Sequence, residues 1–144
     1  MMFYLLSLIN GHPVNISEQL FAEVRLCQEQ HGRLTEELLS ALYFVFGQPI
    51  LHALDLVDRR SITRLTSPSG RIIHQVVGSS GQTYTCLKAS SFCTCPSYTY
   101  TVLVKMETIM CKHLLAVNLA EAIHNIKEKE VSNETITAHL SYDC

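Results

Sequence analysis

The chain has 144 residues, 47% of them hydrophobic, with a mean hydropathy of +0.16 and a formal net charge of −2. That is enough apolar material for one packed domain, while two domains would each be marginal, and the near-neutral total says little about partners. No apolar run approaches the roughly 18 residues that cross a bilayer, so the sequence predicts a soluble chain with no membrane partner.

Charge is unevenly spread. Residues 1–58 carry −5, residues 59–129 carry +6, and the rest carry −3. The basic excess falls in the half that also holds the cysteine pattern described below, where nucleic-acid contact would be expected.

Residues 1–14 form an N-terminal segment of uncertain role. Met1 to Ile9 is apolar and reads as a short helix, a partner-binding end or an uncertain gene start. A secreted disulfide protein is the competing reading, because the chain has six cysteines and two sequons, Asn15-Ile-Ser17 and Asn133-Glu-Thr135. Against it, no Lys or Arg precedes the apolar stretch and no small-residue cleavage site follows it.

Residues 15–58 read as a helical, partner-binding region. Asn15 with Glu18 makes a capping box for a first helix that ends before Gly32, with Ile16, Leu20, Val24 and Cys27 at inward spacing. Thr35 caps a second helix that stops at Gly47. Leu38, Leu39, Ala41, Leu42 and the run Tyr43 to Phe46 leave it apolar almost all round, so it is buried by its own core or by a partner. Gln48 to Asp58 makes a third helix with Pro49 in its first turn and Ile50, Leu51, Leu54 and Val57 inward.

Residues 59–129 change character. Ser61 to Thr66, Arg71 to Val77 and Gln82 to Lys88 are rich in Ile, Val, Thr and Tyr, and the turns Ser67-Pro-Ser-Gly70 and Gly78-Ser-Ser-Gly81 separate them. This predicts a small antiparallel three-stranded meander. Ser97 to Lys105 reads as either a short helix or a strand. Residues 130–144 are a tail, in which Ser132 or Asn133 caps a weak helix through Leu140.

The chemistry is concentrated between Phe92 and Leu115. Cys93 and Cys95 are followed, after fifteen residues, by Cys111 and His113. Three thiolates and an imidazole fill a zinc tetrahedron, leaving no position for substrate water, so the metal reads as one structural Zn2+. Residues i and i+2 of a strand share a face, so Cys93 and Cys95 can aim at one ion from a strand end. On a helix the same offset puts them about 200° apart, which places Cys111 in an entering turn and His113 in the first turn of a helix from Lys112 to Ile126. That helix carries an apolar face of Leu114, Leu115, Val117, Leu119, Ala122, Ile123 and Ile126. The alternative is a scatter of buried thiols; Cys27, Cys86 and Cys144 fit that description, with Cys86 the best spare ligand.

Cys93-x-Cys95-Pro96 followed by Cys111-x-His113 and a hydrophobic helix resembles the SWIM zinc finger. Ala53 to Arg59, Ser61 to Thr63, Ser67 to Arg71, Tyr84 to Cys86 and Cys111 to Ala116 are similar to the SWIM subunits of Shu complexes, over about residues 38–120. The resemblance implies an α+β fold of N-terminal helices, the meander and a zinc-locked SWIM helix. It also implies a non-enzymatic nuclear protein of homologous recombination. Such a subunit pairs with a RecA-like ATPase paralogue and promotes recombinase assembly on single-stranded DNA, which it contacts directly or through the partner.

Two rival readings remain. An autonomous nucleic-acid-binding zinc module would use Arg59, Arg60, Arg64 and Arg71 on phosphates, with Tyr98 and Tyr100 stacking on bases; packing is the plainer role for those tyrosines. A hydrolase or transferase would need an open metal position. No phosphate loop, metalloprotease pair or pairable nucleophile and base supports catalysis or a small-molecule substrate.

Overall fold

The computed structural model describes residues 15–98 and 110–141. The expectations for residues 1–14, Tyr100 and Cys144 lie outside that range. So does most of Ser97 to Lys105, of which the described Ser97 and Tyr98 turn helically.

Helix α1 (Ile16–His31) starts where Asn15, in extended backbone, accepts hydrogen bonds from the amides of Ser17 and Glu18, and stops at Gly32 with φ 70°. These bonds satisfy amides that a helix start otherwise leaves free. Its inward stripe is Ser17, Phe21, Val24 and Cys27, whereas Ile16 is 46% exposed. Val24 and Cys27 are buried as expected and Leu20 packs on the core, but Ile16 turns outward and Ser17 and Phe21 complete the inward face.

Helix α2 (Glu36–Phe46) is capped by Thr35 and ends at Gly47. Only Leu42 and Phe46 are fully buried, and Phe44 is 90% exposed. Its own core therefore covers one side. In α3 (Pro49–Asp58), Ile50, Ala53, Leu56 and Val57 are buried. Leu51, expected inward, is exposed, because it lies about 100° round the helix from Ile50.

Strands β1 (Ile62–Thr66), β2 (Ile72–Val77) and β3 (Thr83–Leu87) form the expected meander, in register Ile62 to Val76 and His74 to Cys86. The sheet is nevertheless five-stranded and mixed, in the order β4-β3-β2-β1-β5. Strand β4 (Phe92–Cys93) pairs antiparallel with β3, and β5 (Lys127–Glu130) runs parallel to β1. All four β5 side chains are exposed. Its backbone pairing is joined by one cross-strand ion pair, Arg64 with Glu128, and its charges suit a sheet edge that must not recruit further strands.

Helix α4 (Lys112–Ile123) is the axis of the molecule, packing on α1, α3 and the sheet, with a continuous buried run from His113 to Val117. It ends three residues before the expected Ile126. His124 turns into left-handed backbone at φ 63°, and the Asn125 side chain is drawn off to donate to Val57 O and accept from Arg60.

The two sheet faces have different covers. Ile62, Val76 and Cys86 join the main core with α4, whereas Leu65 and Ile73 pack with Ile136 of α5 (Asn133–Ser141). The weak terminal helix expected in the tail is thus a cover for the second face. The chain is α+β, with five helices among the described residues. Replacing Ile136 by alanine should cost about 2 kcal/mol of unfolding free energy, at the low end for a buried aliphatic truncation because the cluster is small. Urea denaturation reads this, and an unchanged midpoint would show the α5 contact to be idle.

Candidate metal centre

Each of the four site side chains is positioned by a different local device. Cys93 ends β4, where pairing with β3 is held by Thr94 N donating to Thr85 O and Thr85 N donating to Thr94 Oγ1. Cys95 follows in a turn before Pro96, and its sulfur accepts a hydrogen bond from the Tyr98 amide at 3.2 Å. Cys111 is the N-cap of α4, and its carbonyl accepts from Leu115 N. His113 sits in the first turn, with its ring stacked on Tyr84 at a centroid distance of 4.3 Å.

These devices bring one sulfur or nitrogen from each residue to within 4.8 Å of all the others, and all four residues are buried. Cys93 Sγ lies 3.7 Å from His113 Nδ1. Ligand atoms on a zinc tetrahedron with bonds of about 2.0–2.3 Å are separated by about 3.5–3.8 Å, so the cluster needs only slight contraction.

Electrostatics points the same way. Hydrogen bonds from Cys111 and then Cys93 pull the Cys95 thiol far down. Cys111 also lowers Cys93, but contacts with Cys86 and Cys95, together with burial, outweigh it and push that thiol up. Cys93, Cys95 and burial push Cys111 up as well. The three thiols are therefore strongly coupled, with Cys95 favoured to ionise at the expense of the other two. A divalent cation is what would let all three ionise, and a closed set of three sulfurs and one imidazole is the donor chemistry of structural zinc. The buried cluster is consistent with one structural zinc ion.

The other cysteines stand apart. Cys86 is fully buried beside Cys93 but is not one of the four, and Cys27 donates to Arg33 O. The five described cysteines are free thiols. Tyr98 is buried edge-on against Phe92, which leaves it no face for a base. The arginine stripe is largely used within the fold. Arg59 pairs with Asp55, Arg60 bonds Asn125, and Arg71 bonds Asn133 O and Thr137.

Arg64 belongs to a network that sequence reasoning missed. Its guanidinium holds Glu121 at 2.8 Å and also pairs with Glu128, while Glu121 accepts from His74 Nε2 at 2.7 Å. Burial lowers the pKa of His74 in spite of that carboxylate. For Glu121 burial acts upward, but the His74 hydrogen bond and the Arg64 charge prevail and hold it below the usual range. The available signals were His74 at an inward position of β2 and Glu121 interrupting an otherwise apolar helix.

A zinc-compatible Cys3His cluster at the head of a buried helix defines a SWIM zinc finger, and the SWIM zinc finger family matches residues 75–122. The likeness extends well beyond the finger. The chain is 44% identical to zinc finger SWIM domain-containing protein 7 of Mus musculus over 89% of its own length and 84% of the relative's. It is 43% identical to the Homo sapiens protein over 85% and 87%, and 40% identical to the Dictyostelium discoideum homologue over 74% and 69%. The chain belongs to the zinc finger SWIM domain-containing protein 7 family. No solved structure matches it. Among the described residues, no helix is long and apolar enough to cross a membrane.

Proposed function

We propose that Cys93, Cys95, Cys111 and His113 are the four ligands of one structural zinc, and that the chain acts as the SWIM subunit of a Shu-type complex in homologous recombination. In this reading it is a nuclear, non-enzymatic protein that pairs with a RecA-like ATPase paralogue to promote recombinase assembly on single-stranded DNA. The supporting observation is kinship over most of both chains, not over the finger alone.

The ion's contribution is folding free energy, since a site absent from the unfolded chain stabilises only the folded one. The residues do the rest: Cys111 and His113 fix the start of α4, and Cys93 and Cys95 tie it to the sheet edge. Helices α2 and α3, within residues 15–58, then present Tyr43, Phe44 and Leu51 outward. Exposed aromatic residues of this kind are the anchors that dominate protein interfaces.

The test is capture of a RecA-like paralogue by the zinc-loaded chain, with Phe44→Glu beside wild type. Phe44 is 90% exposed, so the variant should melt like wild type yet bind at least about tenfold more weakly, as expected on losing an interface anchor. Equal capture by the variant would move the partner surface elsewhere. Failure of the wild type to capture any such paralogue would remove the recombination reading.

A further inference from the structure

A cleft of about 710 Å³ opens where the start of α1, the sheet and α4 meet, and none of the metal-centre residues lines it. Its size falls in the range of about 300–1,000 Å³ typical of small-ligand sites. Arg25, Arg64 and Lys88 all reach it. The Arg64 charge is satisfied by Glu121 and Glu128, but Arg25 and Lys88 have no carboxylate partner among the described residues. The start of α1 lies at the same place, with Asn15, Ser17 and Glu18 on the wall.

One buried polar group on this wall is incomplete. His74 is 3% exposed; its Nε2 is held by Glu121, and its Nδ1 has no partner among the described residues. Leaving such a group unpaired costs about 1–3 kcal/mol. Ser17 also lines the wall.

The remaining wall is apolar, with Phe21, Met110 and the half-exposed Ile72. A cationic end beside an apolar wall suits a phosphate joined to a flat or apolar body. Glu18 on the rim sets two unpaired cations against one carboxylate, which suits a singly or doubly charged phosphate better than a polyphosphate.

We propose that this cleft binds a nucleotide unit, with its phosphate between Arg25, Lys88 and the Ser17 hydroxyl at the start of α1 and its base or sugar against Ile72 and Met110. The unit is either a free nucleoside monophosphate or one link of a single strand. Only the second source rests on the single-strand part of the function proposed above.

The experiment titrates the zinc-loaded full chain with inorganic phosphate, thymidine monophosphate and a short oligothymidylate, followed by amide NMR shifts. At least one thymidine probe should give saturable shifts around Ser17, Arg25, Ile72 and Lys88. Arg25→Gln and Lys88→Gln should each weaken binding about tenfold, the loss of one charge-assisted hydrogen bond, without moving the melting temperature. Ile72→Ala should weaken the thymidine probes but not phosphate. Binding of the oligonucleotide alone makes the strand the source. Binding of the monophosphate alone makes it a free nucleotide, and then the inference stands while direct strand contact at this cleft fails. No saturable shift from either thymidine probe, or affinity unchanged in both charge variants, overturns the proposal.

Discussion

Cys95→Ser and His113→Ala should each lose the zinc and, with it, the folded state of the metal-bearing half. The size of the effect follows from two magnitudes. Structural zinc sites in small fingers bind with an apparent free energy of about 10–16 kcal/mol, whereas whole domains are stable by only about 5–15 kcal/mol. Even a fraction of the first is comparable with all of the second. The geometry adds a reason that the loss should spread. Cys111 caps α4, His113 lies in its first turn, and α4 packs against α1, α3 and the sheet, so a metal held there would anchor the element on which the core is assembled.

The measurement is zinc per chain after purification under reducing conditions, with circular dichroism on the same samples. Wild type should hold one zinc. Cys27→Ser is the control, because Cys27 only donates to Arg33 O, and it should keep its metal. Cys86→Ser separates the spare thiol from the four and should also keep the full zinc content. A wild-type protein without zinc, or a Cys95→Ser variant that retains both metal and fold, would falsify the proposed ligand set.

The cluster of Cys93, Cys95, Cys111 and His113 was legible because its chemistry is local. Four donors at that spacing have few other uses, and strand and helix periodicities say which pairs can converge. The caps were legible for the same reason: Asn15, Thr35, Gly32 and Gly47 each act within a few residues of themselves. What stayed hidden depends on residues far apart in the chain. Lys127 to Glu130 has no apolar residue to mark it as a strand, and only the exposed edge of β1 makes it one. The α1 stripe was right at Val24 and Cys27 but began at Ile16 instead of Ser17, because nothing in its own sequence reveals where α4 will lie. Arg64 looked like a surface cation until Glu121, 57 residues away, arrived beside it.

That network should make folding stability fall as pH drops, through two groups that act in the same direction. His74 is held neutral below its ordinary value of 6.5, so from about pH 6.5 downward the unfolded chain takes up a proton that the folded chain refuses. Stability is therefore complete above that value and declines until the folded-state pKa is passed. Glu121 is depressed below its ordinary 4.5, so its contribution is present above that value and is lost as pH falls further. Both signs agree: acid destabilises. His74→Gln, whose amide can still donate to Glu121, should remove the first contribution and leave the second. Urea midpoints across this range, with zinc content measured in parallel, distinguish this from metal release, which His74→Gln should not alter. At neutral pH, Glu121→Ala should cost about 3 kcal/mol, the lower end for breaking a buried ionic pair, because 18% of the side chain is exposed. It leaves Arg64 with the exposed Glu128 as its one remaining carboxylate and His74 Nε2 without an acceptor. If the substitution were silent, the cluster would be a surface coincidence and the acid sensitivity would have to arise at the metal centre.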